Sequence, residues 1–256
     1  MRYISSLILL CSTLFAATTQ AGGPPLRIGV DATFPPFEST NPDGSLTGFE
    51  IDLGNAICAE IGRTCQWVPS NFDGLIVSLK SRKIDAVFSS LGVTEQRSRQ
   101  VNFTNVVWSG YSSMLSRTEE GLAANPQSLQ GKVVGVQMGS MQEEFVRQRF
   151  EQHGIQVKTY QDQDQVYADL LSGRIDASFQ DMIQAQFNFI DRGNKASFTN
   201  LQIEDELLPA DTAIAVRKND SKLTQQLNEG LEKIHANGTY DRIQRQYFGD
   251  LQLYHR

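Results

Sequence analysis

The chain has 256 residues, of which 40% are hydrophobic and 20% charged, and 29 acidic against 23 basic residues give a formal net charge of −6. Such an acidic chain, with no basic cluster, is a poor partner for nucleic acid or anionic membrane surfaces. Its length allows one large domain or two smaller ones with ample core either way.

The first feature is a leader. Arg2 supplies a short positive region, and Leu7 to Ala17 forms an apolar run broken only by Ser12 and Thr13. Thr19-Gln20-Ala21 then places small residues at the −3 and −1 positions of a cleavage site before Gly22. Residues 1–21 therefore read as a secretory signal peptide, too short in its apolar run to span a bilayer as a permanent helix. Lipidation of Cys11 is the weaker alternative, because Leu10 is bulky for the residue before a lipidated cysteine. No later segment approaches the roughly 20 apolar residues of a membrane span. Removing the leader takes away Arg2 alone, leaving 22 basic against 29 acidic residues, a net of −7. Export leaves Cys58 and Cys65 in an oxidising compartment, where a disulfide is the first reading and free thiols the alternative. The small loop it closes is worth roughly 2–3 kcal/mol on the chain-entropy account. His153, His235 and His255 show no ligand spacing, so no metal is expected, and nothing calls for a cofactor.

Residues 26–31 alternate like a strand and run into the turn Phe34-Pro35-Pro36-Phe37, and Asn41-Pro42-Asp43-Gly44 forms a second turn at a hairpin tip. Phe49, Ile51, Leu53, Ile57 and Ile61 fit one face of a helix ended by Gly62. Trp67-Val68 reads as a short strand, 73–83 as a helix and 84–88 as a buried strand. The second half repeats this series, with strands over 132–137, 157–160 and 175–179 and helices over 140–153 and 165–172. Lys83-Ile84-Asp85-Ala86-Val87-Phe88 and Arg174-Ile175-Asp176-Ala177-Ser178-Phe179 fall at the same place in the two series. A further strand lies within 207–216, and 223–234 and 239–248 read as two closing helices. The alternation predicts an α/β chain of two related lobes, each a central sheet flanked by helices.

In open α/β sheets ligands bind beyond the carboxyl ends of strands. In lobe one that position holds Ser89, Ser90, Gly92 and, three residues beyond Thr94, Arg97. Hydroxyls, free backbone N–H groups and a guanidinium suit an anion, because guanidinium can clamp a carboxylate bidentately. In lobe two it holds Asp181, and after the earlier strand Gly139, Ser140, Met141 and Gln142. A carboxylate there suits an ammonium, so the two lobes facing each other would read both charged ends of an α-amino acid. Each residue also has a plainer reading. Asp181 could be a helix N-cap, Arg97 a solvated surface residue, Ser89 and Ser90 loop hydroxyls, and Phe34 and Phe72 core aromatics.

The run Gly48-Phe49-Glu50-Ile51-Asp52-Leu53-Gly54-Asn55-Ala56-Ile57-Cys58 resembles the signature of the family 3 periplasmic solute-binding proteins. So do Phe72-Asp73-Gly74-Leu75-Ile76, Ser89-Ser90, Thr94-Glu95-Gln96-Arg97, Gly139-Ser140, Phe179-Gln180-Asp181 and the stretch from Asn237-Gly238-Thr239-Tyr240 to Tyr247-Phe248. The resemblance spans nearly all the mature chain and is strongest to the lysine/arginine/ornithine- and histidine-binding members, which also share the Cys58–Cys65 pair. It implies a type II, Venus-flytrap binding fold with ligand in the cleft, a lobe over 22–109 plus 207–256, and a second over 110–206, the chain crossing near 108–112 and 203–209. It implies a monomeric periplasmic component of an ABC importer, working with a membrane permease and closing about a hinge. By the same resemblance Arg97 holds the ligand α-carboxylate, helped by Ser90 and N–H groups near Ser140 and Met141. Asp181 accepts from the α-ammonium, Asp31 meets a distal cationic group, Phe34 and Phe72 sandwich the aliphatic stem, and Ser89 and Gln142 line the distal part.

The chain departs from those relatives at Gly92, where they carry serine, Met141, where they carry threonine, and Phe34, where they carry tyrosine. Asn105-Val106-Val107 also replaces a Pro-Tyr after Phe103-Thr104. These leave the exact ligand open, an opine being the alternative to a basic amino acid. A dehydratase-type enzyme on the same fold is the rival from another class, disfavoured by the absence of a nucleophile elbow, a metal-ligand pattern or a histidine in the expected cleft.

Overall fold

The computed structural model describes residues 23–254, so the leader, its cleavage point and His255 lie outside the described residues. Leu26–Val30 becomes a central strand because Leu26, Ile28 and Val30 are all buried. It lies parallel to Cys65–Pro69 on one side and Ala86–Val87 on the other. The sheet runs in the order Cys65–Pro69, Leu26–Val30, Ala86–Val87, Ala215–Arg217, Val101–Phe103, with Ala215–Arg217 antiparallel to both its neighbours. A second sheet has the same plan, in the order Gln156–Tyr160, Val133–Gln137, Ala177–Asp181, Ser112–Arg117, Phe198–Ile203, with Ser112–Arg117 the antiparallel member. Two lobes of one architecture result.

The Ile-Asp-Ala repeat now has a physical meaning. Asp85 accepts the Arg27 N–H at 3.2 Å and Asp176 the Val133 N–H at 2.7 Å, while each aspartate's own N–H returns a bond to the same residue's carbonyl. In both lobes the aspartate thus locks the third strand onto the first, which is a structural duty.

The antiparallel strand in each sheet arrives from the other lobe. Between the sheets the chain forms two short strands, Trp108–Ser109 and Asp211–Thr212, paired antiparallel. The first lobe's core packs the helix Phe49–Glu60 against the closing helices Ser221–Ala236 and Thr239–Phe248. Phe49 meets Tyr240 and Phe248 edge-to-face there, an arrangement favoured by the ring quadrupole. Cys58 and Cys65 form the expected disulfide, tying that first helix to the edge strand. Among the described residues no helix is long and apolar enough to cross a membrane.

Several elements differ from expectation. The helix read over 73–83 is a 3-10 turn, Phe72–Gly74, followed by Leu75–Lys80, and Arg82 at φ 61° ends it. The helix read over 140–153 stops at Arg149 and passes through the 3-10 turn Glu151–His153 into left-handed Gly154. The single strand read within 207–216 is two, Asp211–Thr212 and Ala215–Arg217. Ser112–Arg117 escaped notice because Ser112, Ser113 and Ser116 are buried in a central strand, where polarity gives no period-two signal. The strands Val101–Phe103 and Phe198–Ile203 and the helix Met182–Asn188 were likewise not predicted.

Candidate functional site

The two sheets aim the carboxyl ends of their parallel strands at one cavity. All eleven residues singled out as ligand contacts line it: Asp31, Phe34, Phe72, Ser89, Ser90, Gly92 and Arg97 from the first lobe, and Ser140, Met141, Gln142 and Asp181 from the second. Asp31 follows Leu26–Val30, the serines follow Ala86–Val87, and Asp181 ends its own strand. Ser140 caps the helix Met141–Arg149 by accepting the Glu143 N–H, which points the start of that helix toward the cavity.

Arg97 is 6% exposed, so the solvated-surface reading fails. Thr94 caps its short helix and the guanidinium sits over the Phe72 ring, 5.5 Å from the centroid. Nη1 donates to Gly92 O at 2.9 Å, and Nη2 crosses to the other lobe to donate to Gly139 O at 3.1 Å. Burial lowers Arg97 to about 10, which keeps it cationic at neutral pH. Asp181 is an N-cap, the plainer of its two readings, and it also lines the cavity. Its Oδ1 accepts the Gln184 N–H at 2.7 Å as an N-cap, while burial pushes the carboxyl up to about 7 against the pull of those backbone N–H groups. Asp31 is held by Thr33 Oγ1 at 2.8 Å and, across the cleft, by Gln137 Nε2 at 2.9 Å, and burial raises it from the ordinary carboxylate value.

Sequence reasoning missed several members of the site. Glu38, 1% exposed, lines the cavity within reach of the Ser89 and Ser90 hydroxyls, and Glu50 lies directly behind it, fully buried. Gln137, Trp108 and Gln163 line it as well. Glu38 follows an aromatic in a turn and Gln163 opens an amphipathic helix, so neither has a local pattern that marks it. Among the described lining residues Arg97 is the one cation, against the carboxylates Asp31, Glu38 and Asp181.

Residues 26–250 match the bacterial extracellular solute-binding proteins, family 3. The chain belongs to this family. It is 38% identical over 255 residues to the histidine-binding periplasmic protein of Escherichia coli (strain K12), covering 97% of this chain and 96% of that one. It is 37% identical to the lysine/arginine/ornithine-binding periplasmic protein of the same strain, covering 98% of each. Among solved structures it superposes on an ancestral arginine-binding protein bound to arginine with a TM-score of 0.82 at 34% identity, covering 88% of this chain and 98% of that one. As a member of a solute-binding family the protein binds its ligand and is not an enzyme.

Gly92 and Met141, two positions singled out in the sequence, meet across the cleft. A Cβ at Gly92 would stand 2.7 Å from Met141 Sδ and 3.3 Å from its methyl carbon. The flexible end of the methionine thus fills the space where a side chain at position 92 would begin.

Proposed function

We propose that the protein captures a basic amino acid (arginine, lysine, ornithine or histidine) in the periplasm and presents it, as a closed monomer, to the permease of an ABC importer. Charge carries this reading. One buried cation faces three cavity carboxylates, so the ligand best matched brings one carboxylate and more than one positive group. An opine adds a second carboxylate, for which the described lining offers no second cation. The names of the histidine- and lysine/arginine/ornithine-binding relatives support the same class.

In this reading Arg97 clamps the α-carboxylate with help from Ser90 and the N–H groups at Ser140 and Met141. Asp181 accepts from the α-ammonium through the oxygen that does not cap its helix. Asp31 and Glu38 meet the distal cation, Phe34 and Phe72 flank the stem, and Ser89 and Gln142 line the far wall beside Gly92's Met141-filled gap. The lobes are 22–109 plus 207–256 and 110–206, moving about the paired strands Trp108–Ser109 and Asp211–Thr212. Ligand touches both lobes, binds the closed state far better than the open one, and shifts the population accordingly. A micromolar ligand requires about −8 kcal/mol, within reach of two charge-assisted clamps and ring contact.

Thermal-shift and calorimetric titration of the mature protein against the twenty amino acids, ornithine and octopine tests the reading. At a hundredfold excess over Kd the ligand adds about 2.7 kcal/mol, roughly 5–10 °C for a chain this size. Basic amino acids are expected to give that shift. Stabilisation by glutamate or glutamine in their place would remove the role given to Asp31 and Glu38.

A further inference from the structure

Ser90 presents a problem of proton count. Its hydroxyl lies 3.3 Å from Glu38 Oε2 and 3.4 Å from Glu50 Oε1, while its N–H donates to Glu50 Oε2 at 2.7 Å. Ser90 holds this position in a left-handed conformation, φ 49°, that non-glycine residues seldom adopt. A serine hydroxyl has one hydrogen and can serve one acceptor. If both carboxyls were ionised, the other would face an oxygen lone pair, with neither group in water.

The surroundings say which carboxyl carries the extra proton. Glu50 accepts the Trp108 Nε1–H at 2.6 Å in addition to the Ser90 N–H, and both favour its ionised form. Glu38 has hydroxyl partners: Ser90, and Ser89 Oγ at 3.2 Å, the latter already accepting the Asp31 N–H at 2.8 Å. The consistent pattern is a Glu38 carboxylic acid donating to Ser90 Oγ, which donates to the Glu50 carboxylate. Burial, then the charges of Glu50 and Asp31, hold Glu38 well above the usual carboxylate range, and burial pushes Glu50 up to about 7. From other elements Asp181 bears on Glu50 from the second lobe, Tyr240 faces it from the last helix, and Arg97 is the cation of the same cavity. Among the described lining residues Arg97 is the one charge that opposes these acids.

We propose that Glu38 and Glu50 share one proton through Ser90 in the empty cavity, and that a cationic ligand side chain, entering beside Asp31 and Glu38, drives that proton off Glu38 into solvent. The bond broken is the Glu38 O–H; its electron pair stays on the carboxylate and the proton goes to buffer, so the ligand's added positive charge is matched by one lost. Glu38 thereby reads ligand charge, and a neutral isostere such as citrulline, which replaces the guanidinium of arginine by a ureido group, leaves the proton in place. This rests on the reading of the ligand as a basic amino acid.

Calorimetry of arginine and citrulline binding at about pH 6.5, in buffers of different ionisation enthalpy, counts the protons released. Wild type is expected to release up to about one proton more with arginine than with citrulline, whose α-ammonium meets only Asp181. Glu38→Gln should bind arginine roughly tenfold or more weaker, as expected for a lost partner to a charged group, and release no more with it than with citrulline. Glu50→Gln, which keeps acceptor and shape at Ser90, should also cut the release, and far-UV circular dichroism checks that each variant folds. Equal proton release with arginine and citrulline in wild type would overturn the proposal while leaving the amino-acid reading intact. Undiminished release in Glu38→Gln would overturn it too. Absence of binding by any basic amino acid, seen as no ligand heat at all, would remove the underlying reading and the proposal with it.

Discussion

Arg97 gives one donor each to the carbonyls of Gly92 and Gly139, which leaves most of its five N–H groups for a ligand. Buried, with no carboxylate among the described residues bonded to it, it is the group whose loss costs most. Arg97→Ala is expected to cost on the order of 2–5 kcal/mol of binding, a factor of roughly 30 to several thousand in Kd, for every α-amino acid. Equilibrium titration at matched thermal stability checks it, and retained affinity would sink the placement of the carboxylate. Gly92 and Met141 make a subtler pair, because the methionine sulfur stands where a side chain at 92 would begin. Gly92→Ser and Met141→Thr should each weaken ligand binding alone and restore it together, with a coupling of roughly 0.5–3 kcal/mol in a double-mutant cycle. Additivity of the two would show that they are independent substitutions.

The elements meet across the cleft as closely as the residues do. Gly139, at φ 76°, sits so near the turn Phe72–Gly74 that a Cβ there would fall 2.9 Å from Asp73 Cα. The backbone cannot yield as a side-chain tip can, so Gly139→Ala opposes closure directly while costing the ligand-free protein only about 1 kcal/mol of left-handed strain. A loss of tenfold or more in affinity is expected, with ligand-free melting lowered by a few degrees. An unchanged affinity would mean that this contact is no part of the bound state. Legibility follows the same division between local and distant contacts. The strands around Ile28, Val134 and Ala86 were readable because apolar runs bounded by turns announce themselves. The strand Ser112–Arg117 and the carboxyl of Glu38 were not, since burial of polar groups depends on partners far along the chain, Ser89 and Ser90 for Glu38 and Gln142 and Gln180 for the strand. Arg97 and Asp181 stood out through their place after repeated strands, which is a topological signal and survives without local patterning.

At the scale of the whole molecule the buried acids set a pH dependence with two opposed limbs. Asp181 stands near 7 in the folded chain, and burial makes the Glu38–Glu50 pair hold its shared proton above the usual carboxylate range, against about 4 for these groups when unfolded. Between those values the folded state holds protons that the unfolded state has shed, so stability is fully present below about pH 4 and is lost as pH rises through about 7. At about 1.4 kcal/mol per unit, the two groups allow a loss of several kcal/mol. Asp85, Asp169 and Asp205 act oppositely: arginine partners hold each below the usual range, after a burial effect at Asp85 that works against them. Their contribution is lost as pH falls below about 4. The ligand-free protein is therefore expected to melt highest at about pH 4 and progressively lower towards about pH 7. Saturating lysine places positive charge beside these acids, lets them ionise at less cost, and should flatten the alkaline limb. Melting curves across that range, with and without lysine, decide it. A free protein that grows steadily more stable from pH 5 to 8 would mean that these carboxyls are ionised and already compensated before any ligand arrives.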